Sequence, residues 1–147
     1  MTRRAIKVDL SGGSVDIELA RILRRFFSNV GATAKARAQQ ILTEEVTDRS
    51  GALKTKTDFD LVVRGNEVYL EFYNDAGPHA LYQHEGTGIY GPKGRPIRPK
   101  RAKLLSWIDP STGQRVFAKE VRGTPAKKFL TRAIDFALDQ EIRRINA

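Results

Sequence analysis

The sequence predicts an α+β fold in which a long N-terminal helix and a C-terminal helix pack on an antiparallel sheet of two hairpins. Two stretches, Val15–Leu42 and Ala126–Ile145, place apolar residues at steps of three and four, which is typical of amphipathic helices. The strands between them alternate apolar and polar residues and follow one another across short turns, which favours antiparallel pairing. A chain of 147 residues can bury one sizeable core, so we expect a single domain over residues 1–147.

The N-terminal region predicts a short strand followed by the longer of the two helices. Alternating apolar residues indicate a strand over Arg4–Leu10, and the Ser-Gly-Gly sequence after it ends the strand. Ser14 is a suitable helix N-cap, since its hydroxyl can accept a hydrogen bond from the first turn. A polar Asp-Arg-Ser-Gly segment begins shortly after Val46, so the helix is expected to be about thirty residues long.

The first hairpin is predicted in register as well as in position. With Gly65-Asn66 as the two-residue turn, one side of the sheet pairs Val63 with Val68, Leu61 with Leu70, and Phe59 with Phe72. The same register places Asp60 opposite Glu71, and two carboxylates in these positions repel unless a cation lies nearby. This pair is the one unfavourable feature of the register.

A second hairpin is predicted in the later half of the chain. Asn74–Glu85 begins as a turn and continues as a short helix or strand. Leu104–Ile108 and Arg115–Val121 then flank an Asp-Pro-Ser-Thr-Gly turn, which is a hairpin pattern. Trp107 lies near a strand end and is expected to belong to the hydrophobic core.

The last helix has a clear predicted start. Thr124 is a suitable N-cap, and Pro125 follows at the first helical position, where its missing N–H is not needed. The apolar stripe begins at Ala126 and places Phe129 and Leu130 toward the core.

A long basic segment rich in glycine and proline, which we call the arm, separates the two hairpins at residues 86–103. It contains six Lys or Arg, four Gly and three Pro, and no acidic residue. Such a segment buries little apolar area, whereas its prolines lower the entropic cost of ordering against a neighbour. We expect the arm to become ordered on a partner or neighbouring subunit through Tyr90, Lys93, Arg95, Ile97, Arg98, Lys100, Arg101 and Lys103.

The sequence contains no pattern that is typical of a catalytic, cofactor or metal site. His84-Glu85 does not extend to a second histidine at the HExxH spacing, because Gly88 occupies that position. The glycines of residues 86–91 precede prolines and not a helix, so they do not predict a phosphate-binding loop. No serine lies in a GxSxG frame, and there is no cysteine. We therefore expect neither an enzyme nor a bound cofactor or metal.

Positive charge limits the class of partner. The net charge is +9 and the isoelectric point is about 10.1, which favours nucleic acid or acidic protein surfaces. Arg21, Arg24 and Arg25 lie on the polar face of the long helix and are candidate contacts to DNA or to an acidic partner. A stand-alone nucleic-acid-binding protein is accordingly one interpretation. No stretch predicts a signal peptide or a membrane span, so we expect the protein to stay in the cytoplasm where it is made.

Several short motifs occur in an order that resembles a known family. They are Ser50-Gly51-Ala52-Leu53, Tyr82-Gln83-His84-Glu85-Gly86-Thr87, Val116-Phe117-Ala118, and Gly123-Thr124-Pro125-Ala126 followed by Phe129-Leu130. With the long N-terminal helix, this order resembles the tail-completion, or head–tail joining, neck proteins of long-tailed bacteriophages, the lambda Z-like family. The resemblance spans about Val15–Ile145. His84 and the length of the arm depart from the family pattern.

What the resemblance implies is a role in assembly without catalysis. The protein would form a homo-oligomeric ring, a hexamer, in the virion neck. It would lie between a head-side stopper or connector protein and the tail terminator or tail-tube protein, with DNA passing through its lumen without sequence-specific contacts. A tail terminator or another connector ring is the alternative in the same setting, because both are small α+β ring formers.

Overall fold

The fold is α+β, as predicted, in the computed structural model, which describes residues 2–9, 17–48, 50–65 and 67–147. The helices are α1 (Ile17–Glu45), α2 (Ala52–Thr55), α3 (Pro78–Glu85) and α4 (Phe129–Ile145). The strands are β1 (Thr2–Asp9), β2 (Thr57–Arg64), β3 (Glu67–Asn74), β4 (Leu105–Ile108) and β5 (Arg115–Ala118).

The chain divides into two compact units. Residues 1–81 and 128–147 form the first, which we call the helical unit, and residues 82–127 form the second, the arm unit. The expectation of a single domain over the whole chain stays a prediction.

The helical unit contains a three-stranded antiparallel sheet in the order β1-β3-β2. The predicted register of the first hairpin is confirmed, because β2 and β3 pair Val63 with Val68, Leu61 with Leu70, and Phe59 with Phe72. Arg64 pairs with Glu67, so the register is set locally, and Asn66 of the predicted turn lies outside the described residues.

Strand β1 completes the sheet and supplies a cation, Arg3, beside the two facing carboxylates of the first hairpin. It pairs antiparallel with β3, on the side opposite β2. It begins earlier than predicted, and Leu10 and the predicted cap Ser14 lie outside the described residues. Arg3 Nη1 lies 3.0 Å from Glu71 Oε2 and so offsets the repulsion between Asp60 and Glu71.

Helices α1 and α4 pack on this sheet and bury the core. α1 has 29 residues, in agreement with the predicted length. The two helices run antiparallel, because Asn29 Nδ2 donates to Glu141 Oε1 at 3.0 Å and Arg132 Nη2 donates to Glu45 Oε1 at 2.7 Å. Phe129 and Leu130 are buried, as predicted. The largest fully buried apolar side chains are Phe27, Ile41, Leu42, Leu53, Leu70, Phe72, Phe129 and Leu130.

A buried polar cluster ties α2 to both strands of the first hairpin. Asn74 is fully buried, and its Nδ2 donates to Leu53 O at 2.6 Å and to Thr57 Oγ1 at 2.7 Å. Its Oδ1 accepts from the Ala76 N–H at 2.9 Å. Thr57 Oγ1 in turn donates to Leu53 O at 2.7 Å. Every polar atom of the Asn74 amide therefore has a partner, as burial requires.

Replacing Asn74 with alanine should destabilise the protein by about 2–4 kcal/mol, because buried groups lose hydrogen-bond partners and a cavity remains. Equilibrium urea denaturation measures the loss. Gln40→Ala is the matched control, since Gln40 is exposed and bonds only surface side chains, and it should cost about 0.5 kcal/mol or less. Equal losses in the two variants would contradict the role assigned to Asn74.

The second hairpin is present, but it forms a sheet of its own in the arm unit. β4 and β5 pair antiparallel, with Leu105 opposite Ala118 and Ile108 opposite Arg115. The prediction of one sheet made of two hairpins is corrected here, because β1 occupies the second edge of β3. β5 ends before the predicted Val121, which instead forms an isolated bridge.

The start of α4 also differs from the prediction. The helix begins at Phe129 and not at Thr124 with Pro125. The Thr124 carbonyl accepts from the Thr87 N–H, and the Thr124 N–H donates to Thr87 Oγ1, both at 2.9 Å. An N-cap carbonyl has to accept the first hydrogen bond of the helix, so these contacts compete with a helix start at Thr124. Ala126 consequently lies outside the helical stripe.

Candidate partner-binding surface

A crossing of two backbone segments organises the arm unit. The Thr87 N–H donates to Thr124 O at 2.9 Å, and the Ile89 N–H donates to Arg122 O at 2.8 Å. Residues 86–89 and 122–124 therefore lie side by side, although neither segment is part of a regular strand.

Glycines allow this close approach. Gly88 has a φ of 62° and Gly123 a φ of 96°, which are conformations that L side chains rarely adopt. A Cβ on Gly88 would lie 2.7 Å from the Arg122 carbonyl carbon, and a Cβ on Gly123 would lie 2.8 Å from Gly88 Cα. Both obstacles are backbone atoms, which cannot rotate away. The glycines of this segment therefore serve the packing of one backbone against another.

Part of the arm is fixed within its own unit. The Ile97 N–H donates to Val121 O at 2.8 Å, and the Val121 N–H donates to Ile97 O at 2.9 Å. Together with the crossing at residues 86–89, this bridge anchors the arm at two places. The backbone groups of these residues therefore have partners inside the arm unit, and the expectation that the arm becomes ordered on a partner stays a prediction.

All eight predicted contact residues of the arm are exposed. Arg98 pairs with Glu120 at 2.9 Å, but both side chains stay at least half exposed, so the pair contributes little to stability. Tyr90 and Ile97 expose 44% and 40% of their surface. Among the described residues, no carboxylate pairs with the other arm cations, which are Lys93, Arg95, Lys100, Arg101 and Lys103. The arm thus presents cations and apolar side chains together.

Most of the net positive charge of the protein belongs to the arm unit. Residues 82–127 contain ten Lys or Arg and three Asp or Glu, which gives a net charge of +7. The rest of the chain contains sixteen Lys or Arg and fourteen Asp or Glu, which gives a net charge of +2. The Asp109 carboxylate is engaged locally, because the Ser111 hydroxyl and N–H donate to it at 2.6 and 2.8 Å and lower its pKa. The lowered pKa keeps Asp109 ionised, and the net charge of +7 already includes this carboxylate.

The second hairpin exposes apolar side chains on both faces. Trp107 shares one face with Val116, and Phe117 shares the other with Ser106 and Ile108. Trp107 is 37% exposed, Phe117 60% and Ile108 53%. The expectation that Trp107 belongs to the core is wrong, because a sheet of two strands offers too little surface to bury an indole.

The predicted contacts Arg21, Arg24 and Arg25 are exposed on α1. Arg21 binds both carboxylate oxygens of Glu18, one turn earlier, at 2.6 and 2.7 Å. Arg24 and Arg25 have no carboxylate partner in the part of the chain that the structure describes. These residues belong to the helical unit, so the two predicted sets of cations lie on different units.

A second apolar surface lies where α1 continues past the end of α4. Asn29 is level with Glu141, and each helix rises about 1.5 Å per residue, so α4 ends about level with Arg25. The stripe pattern predicted core positions for Leu19 and Ile22 on α1, beyond this point, and for Ile142 and Ile145 in the last turn of α4, but all four side chains are exposed. We call them the helix-end patch: Leu19 (41% exposed), Ile22 (55%), Ile142 (50%) and Ile145 (63%).

The histidines are the remaining chemically distinctive side chains. His84 is fully buried, with its Nε2 3.6 Å from Glu85 Oε1, and His79 is exposed. In the described ranges, no three His, Cys, Asp or Glu side chains are grouped in a way that could hold a metal ion. None of the described helices is long and apolar enough to cross a membrane. The chain matches no protein-family model, no curated protein and no solved structure.

Proposed function

We propose that the protein is a structural subunit of the virion neck of a long-tailed bacteriophage. In this role it forms a ring that joins the DNA-filled head connector to the tail and lets DNA pass through its lumen. One observation carries the proposal: two motifs behind the resemblance, Gly86-Thr87 and Gly123-Thr124, are hydrogen-bonded to each other through their threonines. Motifs that are far apart in sequence but joined in space act as one structural element.

Two different exposed surfaces suit a ring of identical subunits. Cyclic rings use heterologous contacts, in which one patch of a subunit docks onto a different patch of the next. The helix-end patch belongs to the helical unit, whereas Tyr90 and Ile97 project from the arm. We assign the contact to these surfaces, so that the arm of one subunit covers the helix-end patch of its neighbour. A cluster of exposed apolar side chains is typical of an interaction site, unlike single exposed residues.

The proposed role is assembly without catalysis, cofactor or metal. The ring, a hexamer by the resemblance, contacts a head-side stopper protein and a tail terminator or tail-tube protein. Arg24 and Arg25 are the proposed contacts to DNA in the lumen or to an acidic neighbour. Contacts of this kind bind phosphate groups and carry no sequence specificity.

Deleting the gene in the virus that encodes the protein should leave DNA-filled heads and complete tails that do not join. Electron microscopy of the lysate counts joined and free particles. Adding purified protein should restore joining, and Gln40→Ala should restore it equally well. Joined particles without the protein would contradict the proposal. Tails of abnormal length would favour a tail terminator, because its absence leaves tail growth unstopped.

A further inference from the structure

We infer that the arm unit binds single-stranded nucleic acid, with phosphates on its unpaired cations and an unstacked base on Phe117. The inference goes beyond the proposed neck role and does not depend on it. The sequence pattern placed Trp107 in the core and offered Phe117 only as part of the Val116-Phe117-Ala118 motif.

The positive charge of the arm unit favours a polyanion as its ligand. The arm unit has a net charge of +7, and nine of its ten Lys and Arg side chains are exposed. Of these nine, Arg98 alone pairs with a carboxylate among the described residues. A second copy of the chain is the poorer counterpart, because its helical unit also carries a small net positive charge. Phosphates of a nucleic acid would neutralise these cations and release counterions.

Phe117 adds an exposed aromatic ring beside a positioned cation. β5 places Arg115 on the same face of the hairpin as Phe117. Arg115 Nη1 donates to Ser106 Oγ at 2.9 Å, and Ser106 lies directly opposite Phe117 in the β4–β5 register. The guanidinium is therefore held next to the ring position.

This arrangement favours unpaired bases over a duplex. Aromatic side chains bind single strands by stacking on free base faces, while nearby cations contact the backbone. In a duplex the base faces are already stacked, so Phe117 has nothing to contact. An acidic protein surface would satisfy the cations but would leave the ring of Phe117 without a specific role.

Fluorescence anisotropy of the full-length protein with a labelled oligothymidylate of about 15 nucleotides, and with a duplex of the same length, tests the inference. The single strand should bind more tightly. Phe117→Leu should weaken its binding roughly 5- to 150-fold, the loss of one stacked base. Replacing Lys100, Arg101 and Lys103 with glutamine should reduce the log–log salt slope by about 2, since each phosphate contact contributes about 0.7.

Matched variants separate stacking from general effects. Phe136→Leu removes another exposed ring, 39% accessible with the Arg37 guanidinium 4.9 Å away, but on the helical unit, and should leave binding unchanged. Phe117→Tyr keeps an aromatic face and should bind like the wild type. Trp107 is the only tryptophan, so its emission reports whether each variant keeps the hairpin.

Several outcomes would overturn the inference. They are equal binding of duplex and single strand, wild-type binding by Phe117→Leu, or equal losses in Phe117→Leu and Phe117→Tyr. Tighter binding of polyglutamate than of oligothymidylate would instead identify an acidic protein as the partner. Neck assembly is measured by particle joining, so failure of binding and failure of the proposed function are distinguishable.

Discussion

Gly88→Ala should unfold the arm unit. The new Cβ would lie 2.7 Å from the Arg122 carbonyl carbon and 2.9 Å from Gly123 Cα, and a clash with backbone is not relieved by a rotamer change. The φ of 62° adds about 1–2 kcal/mol for alanine. The clash and the unfavourable φ together should lower the free energy of unfolding by more than about 4 kcal/mol. This is a large fraction of the stability of a small domain.

Hydrogen exchange measured by mass spectrometry tests this expectation. Peptides that contain Thr87 and Ile89 should lose protection in Gly88→Ala, because the backbone bonds of the crossing break. Gly94→Ala is the matched control, since Gly94 has a similar φ of 58° but no atom within 4 Å of the added Cβ. Gly94→Ala should lower the free energy of unfolding by only about 1–2 kcal/mol, and the amides of Thr87 and Ile89 should stay protected from exchange. Equal exchange in the two variants would show that the crossing is not required.

Ile22→Asp should abolish self-association without unfolding the subunit. Ile22 is 55% exposed, so the monomer loses little burial and its stability should change by about 0.5 kcal/mol or less. In the proposed ring the same side chain is covered by the arm of a neighbour. An unpaired carboxylate there costs several kcal/mol at each contact, which is enough to dissociate the assembly.

Sedimentation velocity of the purified protein measures this effect. The wild type should sediment as a closed oligomer and Ile22→Asp as a monomer with an unchanged circular dichroism spectrum. Gln40→Asp introduces the same residue at an exposed position of α1 outside the patch and should keep the oligomer. Retention of the oligomer in Ile22→Asp would exclude the helix-end patch from the subunit contact.

Local rules explain why the first hairpin was predictable. Its turn and its alternating apolar residues lie within eighteen consecutive residues, so the pairing of β2 with β3 follows from turn geometry alone. The partner of β1 was not predictable in this way, since β1 pairs with a strand far along the chain. The predicted start of α4 was wrong for a related reason. Thr87, which is distant in sequence, is hydrogen-bonded to the backbone of the predicted cap Thr124.

The candidate surfaces were only partly visible in the sequence. Composition revealed the arm and its cations, and these side chains are exposed as a contact surface requires. Apolar periodicity shows which residues share a face but not whether anything covers that face. Trp107 and Ile22 were therefore expected in the core, although one lies on a two-stranded sheet and the other lies beyond the end of α4.

The most direct test of the neck proposal is an electron cryomicroscopy reconstruction of the virion neck. We expect a ring of identical copies of this protein between the head connector and the tail, with the arm of each copy against the helix-end patch of the next. A reconstructed neck that contains no copy of the protein would contradict the proposal.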